Sequence, residues 1–378
     1  MRWSLPLGRI RGISLKLHVS FLLVIPLLAP AFAAQLGAAL SSRGVEPGMG
    51  LLLGYGVLMV LGLFASVLLH ELAHALYALS HGGRVSGITL MMIGGVTQLE
   101  ESPKRPRDEA WMALVGPLCS LVLGAALLGL AALLRGGGGM LLQLGLFTLG
   151  AMNLGLGLFN LLPAFPMDGG RILRAVLTPR LGAARATRVA SRVGQAFAVL
   201  FGILGLVTGN FLLVLVALFV LMGAATEAQQ AGLREVLEPM RVGELLDPPT
   251  GGLRPDDTLE LALESFTLRR AVALPVVDDD GRAMGVLTLE RLRRVPSKLL
   301  PTEPVVAHLQ ATDSLPTSLD GWEGLKRLSA ARLPMLPVCD AEGTWIGNLS
   351  QESLGRAVEL ARAQGEHRIN RPNRHQPA

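Results

Sequence analysis

Charged residues, cysteine and lysine are all scarce in this chain of 378 residues. Asp, Glu, Lys and Arg make up 17% of it, below the roughly 25% of an ordinary soluble domain, whereas 51% is hydrophobic. This composition excludes disorder over most of the chain, and the length favours two or more domains. Two cysteines, Cys119 and Cys339, are too few for a disulfide scaffold and lie in different kinds of segment, so we expect both to be unpaired. Only four of the 34 basic residues are lysine, which, with abundant Ala and Gly, indicates a GC-rich prokaryotic genome.

Apolar residues concentrate in the first 228 residues, whereas the chain from residue 229 onwards has the composition of a soluble protein. A helix needs about 20 apolar residues to cross the hydrocarbon core of a bilayer. Six runs are long enough, and we predict a transmembrane helix in each of 17–35, 50–78, 110–134, 139–162, 188–208 and 211–227. Only Gly209 and Asn210 separate the last two runs, which predicts a tight helical hairpin.

Basic residues favour one side of these spans. The N-terminus and the loops before the third and fifth spans are rich in Arg and Lys, whereas the two alternate loops carry only Arg43 and Arg135. Because cytoplasmic loops carry the excess of Lys and Arg, this alternation predicts a multi-pass cell-membrane protein with both termini in the cytoplasm. Basic residues beside apolar segments favour membrane orientation over nucleic-acid binding, so we expect no nucleic-acid partner.

The first span also has features of a secretory signal peptide, namely a basic start, an apolar middle and the small residues of Ala31-Phe32-Ala33. We favour a retained helix, because small residues recur throughout the chain. Removal of residues 1–33 would leave the orientation of the later spans unchanged.

Residues 84–100, between the second and third spans, are apolar and β-branched and are interrupted by Gly94-Gly95. They are too few to cross the membrane as a helix, and their pattern predicts a strand hairpin at the membrane face. The backbone groups of such a hairpin need partners in the protein or in a water-lined cavity.

The second apolar run contains His70-Glu71-Leu72-Ala73-His74, after a stretch from 47 to 69 without a charged residue. On a helix, His70 and His74 lie one turn apart on one face, where two imidazoles can hold one zinc ion and Glu71 can act as general base. Chance would give about 0.006 such motifs in a chain of this composition. Polar helix packing is the other explanation, but ionisable groups cost about 2.5–3.5 kcal/mol each at a helix centre, so three together favour a compensating metal.

A catalytic zinc ion usually has three protein ligands, so a third is needed. Asp168 is the only carboxylate in residues 110–226, and on the predicted topology it lies on the same side of the membrane as the histidine pair. Two prolines before it end the fourth span, and Gly169-Gly170 after it allow a sharp turn. Asp168 is also placed to cap the following helix. Beside the histidine motif, we favour it as the third ligand.

The motif HELAH in a membrane helix, followed by NLLPAFPMDGGR, resembles the site-2 protease family of intramembrane zinc metalloproteases. The segments ISLKLHVSF, GGVTQLEE and PKRPRDE are also similar, so the resemblance covers about residues 10–228. It implies that His70, His74 and Asp168 are the zinc ligands and that Glu71 is the catalytic base. It also implies that Asn160, eight residues before Asp168, holds the substrate or the developing oxyanion.

Gly94 and Gly95 are the other predicted substrate-binding residues. Carbonyl groups of a transmembrane substrate are shielded by helical hydrogen bonds, so the substrate must first unwind locally. An edge strand within 84–100 can bind the unwound segment by strand addition.

The C-terminal part contains an internal repeat of about 60 residues, in which a helix precedes LPVVDDDG in the first copy and LPMLPVCD in the second. The repeat resembles a pair of CBS domains, with the first copy in 241–297 and the looser second copy in 298–362.

CBS pairs often bind adenine nucleotides through a Thr or Ser and an Asp three residues later. Here Thr288 is followed at that distance by Arg291, and Ser350 by Ser353. Two alternatives therefore stay open: an adenine nucleotide bound at Thr288 and Ser350, or a dimerisation or regulatory module without nucleotide.

The sequence thus predicts an α-helical polytopic membrane protein with about six transmembrane helices and a small membrane-associated β-hairpin, joined to a cytoplasmic α+β CBS pair. The predicted domains are a metalloprotease domain, a linker, two CBS repeats and a disordered tail, at 1–228, 229–240, 241–297, 298–362 and 363–378.

The predicted function is that of a zinc endopeptidase that cuts in or near transmembrane segments of membrane-tethered regulatory proteins, in regulated intramembrane proteolysis. Its expected partners are a transmembrane substrate, the lipid bilayer, and a second copy bound through the CBS domains. The alternative is a transporter or channel with CBS domains, since ionisable groups in membranes often mark ion paths. A transport path, however, does not need HExxH with a distant Asp-Gly-Gly. An inactive relative is disfavoured because all four catalytic positions are filled.

Overall fold

The computed structural model describes residues 4–92, 94–101, 105–134, 139–249 and 251–369. By its internal contacts the chain divides into two compact units, Met1–Gln229 and Gln230–Ala378.

Long apolar helices dominate the first unit. In chain order its helices are α1 (Val24–Ser41), α2 (Met49–Ser80), α3 (Pro106–Leu133), α4 (Met140–Asn160), α5 (Asp168–Leu181), α6 (Ala183–Thr208) and α7 (Phe211–Leu237), the last of which continues into the second unit. All except α5 are long and apolar enough to cross a membrane, when the 3-10 turn Val19–Leu23 is counted with α1. The predicted six spans are therefore found.

The hairpin between α6 and α7 forms where the sequence predicts it. Gly209 ends α6 in the left-handed conformation, with φ +66°, which a residue with a side chain rarely adopts. The side-chain oxygen of Asn210 accepts a hydrogen bond of 3.1 Å from the backbone N–H of Leu213 in the first turn of α7.

Several helices extend beyond the predicted spans, most of all α1, α6 and α7. Helix α1 ends at Ser41 rather than 35, α6 begins at Ala183 rather than 188, and α7 continues to Leu237 across much of the segment predicted as a linker. Hydropathy identifies only the part of a helix that is apolar enough to lie in the membrane. A polar continuation of the same helix is therefore not predicted by it.

The first unit also contains a four-stranded sheet. Its strands are β1 (Ser4–Ile10), β2 (Ile13–His18), β3 (Arg84–Met91) and β4 (Gly94–Glu101), in that spatial order. The β3–β4 hairpin matches the prediction for 84–100, whereas β1 and β2 were not predicted. In β2, Ile13 and Leu15 are buried and Lys16 is exposed, the alternation of a strand with one face against the core. Because β3 lies between β2 and β4, β4 has β3 as its one strand partner among the described residues and lies at an edge of the sheet.

Helix α2 carries the core of this unit. Buried residues of β2 and β3, among them Ile13 and Ile88, belong to the same apolar cluster as Val60 and Phe64 of α2. Helices α3 and α4 approach closely through glycine. A Cβ atom on Gly157 of α4, for example, would lie 2.8 Å from Leu121 Cγ of α3. Such close contact through small residues is typical of packing between membrane helices.

The second unit is α+β. Its helices are α8 (Val242–Leu245), α9 (Leu259–Arg269), α10 (Leu289–Leu292), α11 (Gly321–Ala331) and α12 (Gln351–Ile369). Its strands are β5 (Ala273–Val277), β6 (Ala283–Thr288), β7 (Gln310–Ala311), β8 (Leu315–Pro316), β9 (Met335–Cys339) and β10 (Trp345–Ser350). They form two three-stranded sheets, β5-β6-β7 and β10-β9-β8.

The order α9-β5-β6 recurs as α11-β9-β10, which is the predicted internal repeat. Val276 and Leu287 of the first copy belong to one apolar cluster, and Val338 and Leu349 of the second copy belong to another, which also includes Val286 of β6. Helix α12 runs to Ile369, so the first residues of the predicted tail 363–378 are helical, whereas 370–378 lie outside the described residues.

Candidate metal centre

Three side chains from two helices meet inside the first unit. The Nε2 atoms of His70 and His74 lie 3.2 Å apart, and each lies within 3.2 Å of the carboxylate oxygen Oδ2 of Asp168. The site is largely closed to solvent, since His70 is 4% exposed and the Asp168 side chain 13%. The structure therefore brings together the three residues that the sequence singled out as metal ligands.

Each ligand position follows from its local structure. His70 and His74 are one turn apart on α2, and Asp168 is the first residue of α5. Met167, not Asp168, occupies the N-cap position, so the alternative that Asp168 caps this helix does not apply. A carboxylate in the first helical turn is favoured by the helix dipole.

The two glycines after Asp168 allow the chain to fold back on itself. A Cβ atom on Gly169 would lie 2.1 Å from the carbonyl oxygen of Leu162, and one on Gly170 would lie 2.5 Å from the backbone nitrogen of Phe165. Any larger residue would force the loop after α4 away from α5. In the Asp-Gly-Gly sequence, the two glycines therefore allow the close backbone contact between α5 and the preceding loop that positions the Asp168 carboxylate.

The donor set fits a zinc ion. In a tetrahedral site with bonds of about 2.0–2.1 Å, neighbouring ligand atoms lie about 3.3 Å apart, close to the separations of 3.1–3.2 Å found here. Helix α3 leaves space beside these atoms, because a Cβ on Gly116 would lie 2.2 Å from His74 Nε2 and 2.8 Å from His70 Nε2.

The outer nitrogens of both imidazoles are bonded to α3. His74 Nδ1 lies 2.6 Å from the carbonyl oxygen of Met112, and His70 Nδ1 lies 2.9 Å from Ser120 Oγ. A carbonyl only accepts, so His74 Nδ1 carries a proton and, in the neutral ring, Nε2 presents a lone pair. Lone pairs of His74 and Asp168 facing each other at 3.2 Å repel unless a cation or a proton lies between them.

Asp168 is ionised in this environment. Burial acts to raise the pKa of its carboxyl group. When a proton rather than a metal lies between the ring nitrogens and Oδ2, hydrogen bonds from His70 and His74 and the positive charges of His74 and Arg171 lower that pKa below its ordinary value. The carboxylate is therefore available as a charged ligand at neutral pH.

Glu71 lies outside the cluster of three donor atoms, and its side chain contacts the sheet. Thr97 Oγ1 of β4 donates a hydrogen bond of 2.6 Å to Glu71 Oε2. Gly95 of the same strand packs on this side chain, since a Cβ there would lie 2.4 Å from Glu71 Cγ. Gly94 has φ +132° and open space around it. Of the two glycines predicted to bind substrate, Gly95 thus contacts the predicted base.

Asn160 is the last residue of α4, half-buried, and its Nδ2 donates to the carbonyl oxygen of Leu156 at 2.9 Å. In the described part of the chain no hydrogen bond joins it to the three donor residues. Its predicted role in holding substrate stays a prediction.

The sequence missed three residues of this site: Thr97, Met112 and Ser120. A signal was present on α3, where Met112, Gly116 and Ser120 are spaced four residues apart and so share one helix face.

In the second unit, the two residues predicted to bind nucleotide serve as local caps. Thr288 Oγ1 accepts from the backbone N–H of Arg291, and Ser350 Oγ accepts from that of Ser353. Ser350 Oγ also donates to Asp247 Oδ2 at 2.8 Å.

A cavity of about 510 Å³ lies between the two repeats. Its walls come from β6, from the segment around β7 and from the end of α11, and are formed by Met284, Gln310, Ala311, Thr312, Asp313, Ala331 and Leu333.

Comparison with known proteins identifies the family. The sequence profile of peptidase family M50 matches residues 58–143 and 139–201, and the CBS domain profile matches 242–298. A zinc metalloprotease of Methanocaldococcus jannaschii is 32% identical over 296 residues, which are 78% of this chain and 80% of the relative. The chain belongs to peptidase family M50, the site-2 protease family.

A solved site-2 protease from Methanocaldococcus jannaschii is similar to this family M50 protein, at 35% identity over 60% of this chain and 95% of its own, with a TM-score of 0.44. Rip3 of Mycobacterium tuberculosis is 33% identical over 376 residues, 96% of this chain and 94% of its own length. By these sequence matches and its six apolar helices the protein is a zinc metalloprotease with multiple membrane helices and CBS domains, which confirms the predicted fold class and enzyme class. The names of its relatives imply Zn²⁺ as the metal.

Replacement of Gly116 by alanine tests the metal site. The added methyl group would occupy the space beside both Nε2 atoms, so we expect Gly116→Ala to weaken zinc binding by more than about 100-fold, beyond the ~10- to 100-fold typical when a supporting contact is lost. The measurement is zinc retained by the purified full-length protein against a competing chelator.

Gly129→Ala is the matched control, because Gly129 lies on the same helix with open space around its Cα. It should bind zinc as the unaltered protein does. Equal zinc affinity in both variants would contradict the site.

Proposed function

We propose that this family M50 protein is an intramembrane endopeptidase that hydrolyses peptide bonds in or near transmembrane segments of membrane-tethered regulatory proteins. His70, His74 and Asp168 are its zinc ligands and Glu71 is its general base. The observation that carries this proposal is the convergence of the three donor atoms at 3.1–3.2 Å, where the apolar helix α2 meets the first residue of α5. The same convergence supports the protease over the transporter, since a transport path does not need a preformed three-ligand site.

The chemistry divides between the metal and Glu71. When bound, zinc polarises the scissile carbonyl and lowers the pKa of a coordinated water. Thr97 holds Oε2 of Glu71, which leaves Oε1 to take a proton from the attacking water and pass it to the leaving nitrogen. Burial of the site keeps bulk water from competing for the same groups.

The site lies deep in its helix. Ser80 ends α2 ten residues after His70, so His70 is about 15 Å from that end at 1.5 Å per residue. A substrate that reaches this depth as a helix presents carbonyls already bonded within it. Local unwinding is therefore part of the proposed reaction.

Strand β4 is the proposed docking element for the unwound segment. It lies at an edge of the sheet, and its residues Gly95 and Thr97 contact Glu71. A segment added to this edge gains main-chain hydrogen bonds in place of those it lost.

Disulfide cross-linking tests this docking. We expect Gln98→Cys, on β4, to cross-link to a cysteine beside the cleavage site of a model substrate, in a Glu71→Gln protein whose native cysteines have been replaced. Side chains of neighbouring strands are close enough for this bond. Leu7→Cys, on the opposite edge strand β1, is the control and should give several-fold less product. Equal yields at both edges would argue against docking on β4.

Glu71→Gln tests the function itself. The amide cannot accept the water proton, so cleavage of a substrate should fall by about 10²–10⁴-fold, the usual contribution of a general base. Zinc content should be unchanged, because Glu71 lies outside the donor set. Proteomics of membranes with each protein should show membrane-tethered precursor fragments that accumulate with the variant.

Glu46→Gln, at an exposed glutamate between α1 and α2, is the control and should cleave normally. A zinc-loaded Glu71→Gln protein that cleaved at the unaltered rate would overturn the assignment.

We further propose that the domains run as the sequence predicts, with a protease domain in 1–228, a linker in 229–240, CBS repeats in 241–297 and 298–362 and a tail in 363–378. Both termini are cytoplasmic and the source is prokaryotic. The alternation of basic loops supports this orientation. A second copy of the chain, bound through the CBS domains, is the proposed homodimer partner.

The CBS pair is the proposed regulatory module, with an adenine nucleotide in the cavity between its repeats. The volume of about 510 Å³ suits a nucleoside, Met284 and Leu333 offer apolar surface for a base, and Thr312 and Asp313 offer hydrogen-bonding partners for a ribose. The caps at Thr288 and Ser350 leave those hydroxyls engaged, which favours the cavity as the site.

Calorimetry with AMP, ADP and ATP on the full-length protein tests this module. We expect Asp313→Ala to weaken binding by about tenfold, or about 1.4 kcal/mol, through loss of its carboxylate. Asp279→Ala, at an exposed carboxylate in the turn after β5, should bind as the unaltered protein does. Absence of heat with all three nucleotides would leave the module as a dimerisation element.

A further inference from the structure

Ser120 differs from the buried hydroxyl groups of Ser66 and Thr187. Each of those two donates to the carbonyl four residues earlier in its own helix, at 3.0 and 2.9 Å. Ser120, which is 2% exposed, is instead bonded across to α2, where its Oγ lies 2.9 Å from His70 Nδ1. Its hydroxyl group is thus hydrogen-bonded to His70 rather than to a carbonyl group of its own helix.

The direction of this hydrogen bond sets the tautomer of His70. If Ser120 donates, Nδ1 holds the lone pair and Nε2 the proton, and Nε2 is no longer a ligand. If Ser120 accepts, Nδ1 holds the proton and the lone pair of Nε2 points at His74 Nε2 and Asp168 Oδ2, 3.2 and 3.1 Å away. Only the second arrangement presents three ligand atoms together.

His74 has the same arrangement with a fixed direction. The carbonyl of Met112 can only accept, so His74 Nδ1 must donate. Met112 and Ser120 lie one turn before and one turn after Gly116, the residue that leaves space beside the two Nε2 atoms. One face of α3 thereby orients both rings and clears the space in front of them.

We propose that Ser120 is a positioning residue of the metal site, whose hydroxyl oxygen accepts the Nδ1 proton of His70 and so keeps Nε2 as the ligand atom. This inference rests on the proposed role of His70 as a ligand. It assigns to Ser120 a contribution to zinc affinity that is separate from packing.

The test is zinc affinity in the purified full-length protein, measured by titration against a competing chelator after the metal has been stripped. Ser120→Ala should bind zinc about 10- to 100-fold more weakly, as is typical when the partner of a liganding histidine is removed. Ser120→Thr keeps the hydroxyl and should bind within about threefold of the unaltered protein. Ser191→Ala is the matched control, because Ser191 of α6 is 1% exposed and its hydroxyl has no hydrogen-bond partner within the described ranges.

A second readout separates positioning from packing. Loss of one buried hydrogen bond should lower the thermal midpoint of metal-free Ser120→Ala by only a few degrees in a chain of this size. The visible spectrum of the Co²⁺-loaded form should change for Ser120→Ala and not for Ser191→Ala. If Ser120→Ala does not fold, Ser120→Cys, with nearly the same volume and a much weaker acceptor, should show the same loss of affinity.

Equal zinc affinity in Ser120→Ala and the unaltered protein would overturn the inference while leaving the metal site intact. Failure of the unaltered protein itself to bind zinc would overturn the proposed site, and the inference with it. The two failures are therefore distinct results.

Discussion

Electrostatic repulsion among three ligand atoms is the constraint on which the membrane unit depends. His74 is held as the Nδ1–H tautomer by the carbonyl of Met112, so the lone pair of its Nε2 faces the Asp168 carboxylate at 3.2 Å. In an apolar surrounding this arrangement is unfavourable unless a cation or a proton lies between the two atoms, because little water is present to screen the charge. Metal binding and helix packing are therefore coupled. Packing that brings the three donor atoms together costs free energy, and binding of the ion that they share offsets this cost.

Helices α3 and α5 allow the three donor atoms to lie close together. Helix α3 contributes no ligand, yet it carries the partners of both imidazoles and the bare backbone at Gly116 between them. Helix α5 brings Asp168 through a turn in which Gly169 lies against the carbonyl of Leu162. Small residues therefore have two functions here. They let helices approach, as in membrane proteins generally, and they leave the volume that the metal needs.

Residues whose type and spacing alone indicate metal binding were predictable from the sequence. Residues whose role depends on tertiary contacts were not. Two histidines one turn apart and a single carboxylate in more than a hundred residues predicted the donor cluster, and the geometry now matches it. Ser120 and Thr97 are ordinary residue types whose importance arises only because α3 and β4 pack on α2. Strands β1 and β2 were missed because they directly precede a long apolar run that dominates the hydropathy, although the alternation of buried Ile13 and Leu15 with exposed Lys16 is a strand pattern.

Under the proposed mechanism, the sheet has a direct part in catalysis. Gly95 and Thr97 are two apart on β4 and so face the same side, towards Glu71. A bulky residue in place of Gly95 would displace Glu71 whether or not it hindered substrate, so slower cleavage by such a variant would not by itself show that substrate binds there. The outer edge of β4 lies at right angles to that face, in the plane of the sheet. A substrate strand can therefore pair with β4 while Thr97 keeps its hydrogen bond to the base, and docking and proton transfer need not compete for the same atoms.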